Sequence, residues 1–193
     1  MKRICVFAGS NPGVNQAYGE AATRLGDELV ARDLELVYGG SNMGLMGRVA
    51  NAVLGGGGKA IGVMPTGLFR REIVHTQLTE FYEVQTMHER KAKMGDLADG
   101  FIALPGGYGT FEEIFEVVSW GQIGIHDKPV GLLNVDGFYD PLRTMVQHAI
   151  DAGFIHGTPG DLLICESDPA RLLDRMCEYT PPARVNKWTE LSE

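Results

Sequence analysis

Short apolar runs recur along the chain, and the first four of them end at a glycine or a proline. They comprise residues 4–8, 36–38, 60–64, 101–104, 130–133 and 162–165. Their apolar residues follow one another instead of alternating with polar ones. Such runs are typical of a parallel sheet with both faces covered, because each strand is then buried on both sides. The pattern therefore predicts six buried, parallel strands.

Segments with helical spacing lie between these runs. The predicted helices are residues 16–32, 45–54, 87–99, 110–123, 139–152 and 169–179. Alternating strands and helices indicate an α/β protein with right-handed crossovers. We expect a Rossmann-like, doubly wound, mostly parallel sheet with helices on both faces. One such domain would span residues 1–180, and a polar tail, residues 181–193, would follow it.

Two segments need separate interpretation. Residues 66–79 show no clear period and predict a mobile loop, or a short helix, near the site. The helix at 110–123 has apolar residues at helical spacing, namely Phe111, Ile114, Phe115 and Val118. This stripe predicts the core-facing side of the helix. It places Glu112, Glu113 and Glu116 on the other side.

Composition adds an excess of glycine and of acid. The chain has 26 glycines in 193 residues, nearly twice the usual ~7%. The length fits one domain. Asp and Glu number 25 against 17 Lys and Arg, which gives a net charge of −8. This balance argues against nucleic acid or an anionic membrane as a partner, so an anionic ligand would need a local binding device.

Cysteine and histidine usage bears on metals and location. Cys5, Cys165 and Cys177 are widely spaced and form no CxxC motif, so neither a disulfide framework nor a zinc site is indicated. No two histidines stand at i and i+4, and no metal is expected. The first apolar run is too short for a signal peptide, and no stretch is long enough to span a bilayer. We therefore expect a cytoplasmic protein.

Three glycine clusters follow predicted strands, at residues 9–13, 39–47 and 106–110. In a doubly wound sheet, ligands bind at the carboxyl ends of the strands. A missing Cβ lets the backbone approach a ligand, and free N–H groups at a helix start bind anions. Any one cluster could equally be a tight turn without a ligand. Three together favour a ligand of nucleotide size that carries a phosphate.

The standard nucleotide motifs are absent. No G-x-x-x-x-G-K-[ST] occurs, and the first turn reads Gly9-Ser-Asn-Pro-Gly13 where a dinucleotide fold would have G-x-G-x-x-G. Glu35 opens the second strand, whereas the ribose-binding acid should close it. NAD and FAD are therefore disfavoured. The four glycines at 55–58 precede a strand at the opposite edge, and we interpret them as a helix C-cap and connector.

Charged residues flank the third glycine cluster. Arg90 offers a planar fork for phosphate or carboxylate, and Lys91 offers a point charge. Exposed helix residues of these types are usually only solvated, and acids near a helix start usually complement its dipole. Glu113, close to a helix start, should stay ionised. Its placement beside an anion-binding loop is unfavourable unless it has a function.

Two linked motifs resemble a known family. Residues 105–113, Pro-Gly-Gly-Tyr-Gly-Thr-Phe-Glu-Glu, match P-G-G-x-G-T-x-x-E, and residues 87–91, Met-His-Glu-Arg-Lys, match M-H-x-R-K. Together they resemble the signature of the "Lonely guy" family, the cytokinin riboside 5′-monophosphate phosphoribohydrolases, long labelled lysine decarboxylases. Residues 6–10, 38–47 and 120–126 extend the resemblance, which covers roughly residues 4 to 165.

The resemblance implies an activity and a set of residues. The activity is hydrolysis of the N-glycosidic bond of an N6-modified adenosine 5′-monophosphate, or of AMP, to the free base and ribose 5-phosphate. It makes Arg90 and Glu113 the catalytic pair. The substrate-binding residues that it implies, with four from the first two glycine clusters, are Glu72, Lys91, Gly106, Gly107, Tyr108, Gly109, Thr110, Glu112, Gly9, Ser10, Gly39 and Gly40. It implies no cofactor, and it implies a homodimer.

The chemistry fits these residue types. Departure of the base builds oxocarbenium character at C1′, which an ionised Glu113 can stabilise while it orients or deprotonates a water. Arg90 would hold phosphate or ribose oxygens and offset the repulsion between phosphate and Glu113. The group that protonates the departing purine is not identifiable from the sequence.

Two other functions compete with hydrolysis. A nucleotide or molybdenum-cofactor carrier of the same fold would use the glycine clusters without chemistry, although it has no evident reason to keep Arg90 and Glu113. A lysine decarboxylase would need a lysine that binds pyridoxal phosphate. None of the candidates examined stands at a persuasive position for such a Schiff base: Lys59, Lys91, Lys93 and Lys128.

Overall fold

The computed structural model describes residues 1–68, 74–155 and 162–182. Its strands are β1 (Arg3–Phe7), β2 (Glu35–Tyr38), β3 (Ala60–Pro65), β4 (Glu80–Val84), β5 (Gly100–Ala103), β6 (Val130–Leu133) and β7 (Ile164–Glu166). Its helices are α1 (Gln16–Ala31), α2 (Gly44–Gly55), α3 (Met87–Leu97), α4 (Tyr108–Gln122), α5 (Asp140–Asp151) and α6 (Pro169–Cys177).

Seven strands of the described chain form one parallel sheet in the order β4-β3-β2-β1-β5-β6-β7. Val6 in β1 is paired with Tyr38 in β2 on one side and with Ile102 in β5 on the other. The strand order reverses at β1, so the loops after β1 and β5 diverge from adjacent strand ends. Such a reversal is where open α/β sheets bind ligands. The predicted Rossmann-like fold is confirmed.

Helices cover both faces of this sheet. Ile4 and Val6 belong to one apolar cluster, together with residues of α1, α2 and α6. Cys5 and Phe7 belong to the opposite cluster, which includes residues of α3, α4 and α5. Because successive side chains of a strand point to opposite faces, the continuous apolar runs supply both clusters at once.

Strand β4 was not predicted from the sequence. Its residues, Glu-Phe-Tyr-Glu-Val, are partly exposed, because β4 forms the edge of the sheet. An edge strand has less apolar surface to cover and lacks the continuous apolar run that marks the central strands. Between β3 and β4, a 3₁₀ helix spans Thr66–Leu68, as the alternative of a short helix predicted. Glu72 lies outside the described residues.

Some further boundaries follow the predictions closely. The glycine run forms the end of α2, where Gly56 is the C-cap and the Gly58 N–H donates to the Val53 carbonyl at 2.8 Å. This confirms its interpretation as a cap and connector. The last strand begins two residues later and ends one residue later than the predicted run. Of the polar tail, residues 183–193 lie outside the described part. No helix among the described residues has the length and apolar character needed to cross a lipid bilayer.

The predicted core face of α4 was wrong by about one residue. The buried residues of this helix are Thr110, Glu113, Ile114 and Val117. Phe115 is exposed instead. The reason is that α3 supplies a charged partner for Glu113, which allows a carboxylate to occupy a buried position where the apolar pattern alone predicts solvent. Glu113 therefore faces inward, contrary to the prediction.

Candidate active site

A cavity of about 450 Å³ opens at the carboxyl ends of β1 and β5. Its wall consists of residues 8–13 and 105–110, with Tyr18, Leu45, Met46, Met87, Arg90, Glu112, Glu113 and Phe138. The first and third predicted glycine clusters thus meet in one cavity. Their contact is direct, since the Gly9 N–H donates to the Pro105 carbonyl at 3.1 Å.

The N-terminus of α4 forms part of this wall. Gly107 is its N-cap, and no side chain of the described residues caps it. A Cβ at Gly107 or at Gly109 would meet no atom within 4 Å, and neither residue has a positive φ. Protein packing therefore does not require glycine at either position. The bare backbone leaves the first N–H groups of α4 open to an anion, which the helix dipole also favours.

Arg90 lies in the first turn of α3 and is buried, with 8% of its surface exposed. The Thr86 hydroxyl accepts from the Glu89 N–H at 3.1 Å, and the Glu89 carboxylate accepts from the Gln85 N–H at 2.8 Å, as in a capping box. This cap fixes the start of α3. From there the Arg90 Nε donates to the Val63 carbonyl at 3.2 Å.

Gly39 provides the room for this guanidinium. A Cβ at Gly39 would lie 1.9 Å from the Arg90 Nη2. No side chain could therefore replace this glycine without moving Arg90. Gly39 does not line the cavity, and it contributes to the site by leaving space for the Arg90 side chain.

Glu113 faces Arg90 across the cavity floor. Its Oε1 is 3.8 Å from the Arg90 Nη1, and each side chain is 10% exposed. Burial raises the pKa of Glu113 to about 7, and the positive charge of Arg90 opposes that rise. The negative charges of Glu112 and Glu116 raise the pKa further.

The prediction that Glu113 stays ionised because of the helix dipole is therefore wrong. The helix begins at Tyr108, two residues earlier than predicted, which places Glu113 in its second turn. The dipole acts mainly on the first turn. At Glu113 burial outweighs it, and the carboxyl is partly protonated at neutral pH.

Lys91 points away from the cavity. Its ammonium contacts the Glu112 carboxylate and also the Glu116 Oε1, at 2.9 Å. Burial favours the neutral amine, but the hydrogen bonds to both glutamates outweigh burial and raise the pKa of Lys91. In the structure, Lys91 connects α3 to α4 and does not line the cavity.

The second glycine cluster serves mainly to pack the loops. The Gly40 carbonyl accepts from the His75 N–H at 2.9 Å, and Gly40 does not line the cavity. A Cβ at Gly44 would lie 2.3 Å from the Ser10 carbonyl carbon. The Leu45 N–H already donates to the Gly9 carbonyl at 3.0 Å. Only the Leu45 and Met46 of this cluster reach the cavity wall, whereas Ser10 lines it as predicted.

Two aromatic residues of the wall were not singled out from the sequence. Tyr18 and Phe138 pack edge to face with ring centroids 5.7 Å apart. Phe138 follows β6, so the rule that ligands bind at strand carboxyl ends could have indicated it. Tyr18 lies inside α1 and packs over Gly13, a contact that no local pattern reveals.

The candidate lysines for pyridoxal phosphate have partners outside this cavity. Lys59 pairs with Glu35 at 3.1 Å, Lys93 lies over the Tyr82 ring, and the Lys128 ammonium donates to the Gly95 carbonyl. Neither these three nor Lys91 lines the cavity, so the site does not fit a lysine-bound cofactor. Within the described residues, no group of three or more His, Cys, Asp or Glu side chains could hold a metal ion.

Comparisons with known proteins place this site in context. The family model described as "Possible lysine decarboxylase" matches residues 46–176. The chain is 51% identical over 180 residues to the cytokinin riboside 5′-monophosphate phosphoribohydrolase LOG2 of Arabidopsis thaliana, which covers 93% of this chain and 84% of that protein. It is 52% identical to the probable enzyme of the same name, LOGL9, of Oryza sativa subsp. japonica, over 93% of this chain and 79% of that protein.

Solved structures share the fold at lower identity. The molybdenum cofactor carrier protein of Chlamydomonas reinhardtii superposes with a TM-score of 0.69 at 18% identity, over 92% of this chain and 96% of that one. The molybdenum cofactor binding protein of Rippkaea orientalis gives 0.68 at 20% identity, over 92% and 97%. At these identities the likeness extends to the fold alone.

Proposed function

The chain belongs to the "Lonely guy" family of cytokinin riboside 5′-monophosphate phosphoribohydrolases, and we propose that it is a hydrolase of N6-modified adenosine 5′-monophosphate or of AMP. The reaction cleaves the N-glycosidic bond and releases the base and ribose 5-phosphate. Relatives near 50% identity carry this activity in their names.

The observation that carries the proposal is the buried pair of Arg90 and Glu113 beside the open N-terminus of α4. A carboxylate held at 3.8 Å from a guanidinium, both nearly buried, gains little for stability, because the desolvation of both charges offsets their attraction. The pair lies in the wall of the cavity, where it can reach a bound ligand. Such an arrangement is typical of a functional site.

The phosphate would bind at the start of α4. The exposed N–H groups and the bare glycines, Gly107 and Gly109, suit an anion. Arg90 adds a positive charge to the wall of the same cavity. These groups explain how a chain with a net charge of −8 could still hold a phosphate.

Glu113 would act on the bond between C1′ and the base. As this bond breaks, positive charge develops on the ribose, and the ionised carboxylate stabilises it. Water attacks C1′ through its oxygen and gives a proton to Glu113, while the base keeps the electron pair of the broken bond and takes up a proton from the solvent, so that the net reaction consumes one water. A carboxyl with a pKa of about 7 is a stronger base than an ordinary one, and it can release the proton again near neutral pH.

Direct assay tests the proposed function. Purified protein is incubated with AMP and with isopentenyl-AMP, the base is separated by chromatography, and kcat/KM is measured for both. We expect release of free base from at least one of them. Arg90→Ala should impair AMP binding, because it removes a positive charge that can hold phosphate or ribose oxygens, and turnover, because it also removes the main charge that lowers the pKa of Glu113. Tight AMP binding without any release of base would instead support a carrier.

The assembly and location are further parts of the proposal. The family resemblance implies a homodimer, and large apolar side chains are exposed at Phe115 and after α4, at Ile123 and Ile125. We take this surface, residues Phe115, Ile123 and Ile125, as the dimer face. The cysteines are unpaired, which suits a reducing compartment such as the cytoplasm.

A further inference from the structure

Two tyrosines of the core differ in what their hydroxyl groups contact. Tyr38 and Tyr139 are both fully buried. The Tyr139 hydroxyl donates to the Leu104 carbonyl at 2.7 Å. The Tyr38 hydroxyl has no hydrogen-bond partner among the described residues. Of the two, only the Tyr139 hydroxyl therefore holds a backbone group, and that part of the backbone leads into the proposed phosphate site.

The Leu104–Pro105 peptide has an unusual need for this bond. Residue 105 is proline, so this peptide has no N–H, and the Leu104 carbonyl is its sole hydrogen-bonding group. A buried carbonyl left without a donor costs about 1–3 kcal/mol. The peptides on either side are tied to the end of β1 and to the loop after it: the Leu104 N–H donates to the Phe7 carbonyl at 2.9 Å, and the Pro105 carbonyl accepts from the Gly9 N–H at 3.1 Å. Tyr139 supplies the remaining anchor.

Tyr139 is itself held by the loop between β6 and α5. The Asn134 Oδ1 accepts from the Tyr139 N–H at 2.7 Å, and the Asn134 Nδ2 donates to Asp140 at 2.8 Å. Tyr139 also packs edge to face against Phe138, which lines the cavity, with ring centroids 4.9 Å apart. Through Tyr139, this loop therefore helps to fix the position of the Leu104 carbonyl.

We propose that Tyr139 is a positioning residue of the phosphate-binding loop, which its hydroxyl holds through the Leu104 carbonyl. The inference rests on the proposed function for the identity of the ligand. Gly106 and Gly107 directly follow the anchored peptide and have no side chains to hold them. Rotation of the Leu104–Pro105 peptide would reorient these residues and, with them, the first N–H groups of α4. Tyr139 touches no substrate and acts on affinity through this loop.

Tyr139→Phe tests the proposal, with Tyr38→Phe as the matched control. Each removes one buried hydroxyl and keeps the ring. We expect Tyr139→Phe to raise the KM for AMP at least fivefold with kcat within twofold, and to weaken the binding of ribose 5-phosphate, measured by calorimetry, by a similar factor. Tyr38→Phe should leave both values within twofold of the wild type. General destabilisation would instead lower kcat through loss of active protein, without a change in KM.

Other outcomes overturn the proposal. An unchanged KM and ribose 5-phosphate affinity in Tyr139→Phe would do so, as would equal effects of the two variants. If Tyr139→Phe does not fold, Asn134→Ala loosens the same loop from its surface side and should raise KM and weaken ribose 5-phosphate at least twofold; no change in either would refute the role. If the wild type releases no base, the proposed function fails, while ribose 5-phosphate binding by the same variants still decides the role of Tyr139.

Discussion

At the scale of single residues, Glu113 is an unfavourable group in the core. The carboxyl is buried next to Arg90, yet burial still raises its pKa to about 7. Because the ordinary pKa is 4.5, ionising this carboxyl costs about 3 kcal/mol more in the folded protein than in the unfolded chain. A functional site can retain such a cost because activity requires the group, whereas stability alone would remove it.

Glu113→Gln should therefore abolish base release, largely keep AMP binding, and stabilise the protein in a pH-dependent way. The folded wild type binds more protons than the unfolded chain between pH 4.5 and pH 7, so its stability falls as the pH rises through that window. Glutamine does not titrate. The stability advantage of the variant should thus be small at pH 4.5 and reach about 1–3 kcal/mol at pH 8.

Chemical denaturation at both pH values, with a turnover assay and calorimetry at pH 8, checks this prediction. Near-normal base release by Glu113→Gln would rule out the assigned role. A stability difference that is the same at pH 4.5 and pH 8 would contradict the raised pKa.

Gly109 tests whether the bare start of α4 serves a ligand. The position is helical and has open space around it, so Gly109→Ala should raise the free energy of unfolding by about 0.5–1 kcal/mol. The same methyl group would project where we place the phosphate and should raise the KM for AMP several-fold. Improved stability with impaired binding is the expected signature.

Gly95→Ala is the matched control for that substitution. Gly95 also lies inside a helix, has open space around it and does not line the cavity. It should give a similar gain in thermal stability with an unchanged KM. A KM that stays at the wild-type value in both variants would place the phosphate elsewhere.

At the scale of secondary-structure elements, α3 and α4 are joined by two neighbouring charge pairs. Arg90 faces Glu113, and the next residue of α3, Lys91, contacts Glu112 and Glu116. Of the second set only Glu112 lines the cavity, but the set is close enough to influence Glu113, because Lys91 lowers and Glu112 raises its pKa. The two helices thus set the proton affinity of the proposed catalytic carboxyl together.

Substitutions in this second set should shift the pH profile in opposite directions. If the ionised form of Glu113 is active, kcat/KM rises as the pH passes its pKa. Lys91→Met keeps the length of the side chain but removes a positive charge, and it should move that rise to higher pH. Glu112→Gln removes a negative charge and should move it to lower pH.

The pH dependence of kcat/KM from pH 5 to 9 measures both shifts. At pH 7 each variant should change kcat/KM by about tenfold or less, in opposite senses, as expected for a shift of one pKa unit or less. Displacements in the same direction would contradict this electrostatic role, and a loss of kcat/KM at every pH in Lys91→Met would show that Lys91 contacts the nucleotide, as the family resemblance implies.

At the scale of the whole molecule, the proposed dimer face combines Phe115, from the helix that carries Glu113, with two isoleucines just after the end of that helix. Ile123 and Ile125 are 68% and 64% exposed, which is unusual for such side chains when several lie together. Helix α4 would then contribute to the phosphate site at its start, to the catalytic pair in its second turn and to subunit contact towards its end. Assembly could in this way stabilise the active helix.

Light scattering after size-exclusion chromatography tests the dimer. The wild type should have twice the mass of one chain, and the double variant Phe115→Glu with Ile123→Glu should have the mass of one. Met145→Glu places the same charge on α5 at another exposed apolar residue and should stay dimeric. A wild type of single-chain mass, or dissociation by Met145→Glu as well, would exclude this face.

Local patterns predicted most of the architecture. The central strands are buried on both faces, so their apolar runs are visible in the sequence, and six of the seven strands in the described chain were found this way. Edge strand β4 has an exposed side and was missed. The extent of the single domain, residues 1–180, stays a prediction, as does the role of Glu72.

The site was partly predictable, because its motifs are local patterns in the sequence. Motif spacing singled out Arg90 and Glu113 and the glycines that precede α4, and the structure brings these residues into one cavity. The motif spacing could not show that Gly39 leaves room for the Arg90 guanidinium, that Lys91 contacts Glu112 and Glu116, or that the Tyr18 and Phe138 rings are in contact. Each of these facts depends on contact between residues far apart in the chain.

The sequence by itself thus determined which elements form and which residue types gather at the carboxyl ends of the strands, because helix and strand periods and glycine turns are local properties. Only the tertiary structure decided the protonation of Glu113. The helix dipole, a local effect, favours the ionised form, whereas the burial that opposes it arises from the packing of α4 against α3 and the sheet. A pKa depends on the surroundings in three dimensions, so no reading of neighbouring residues could supply it.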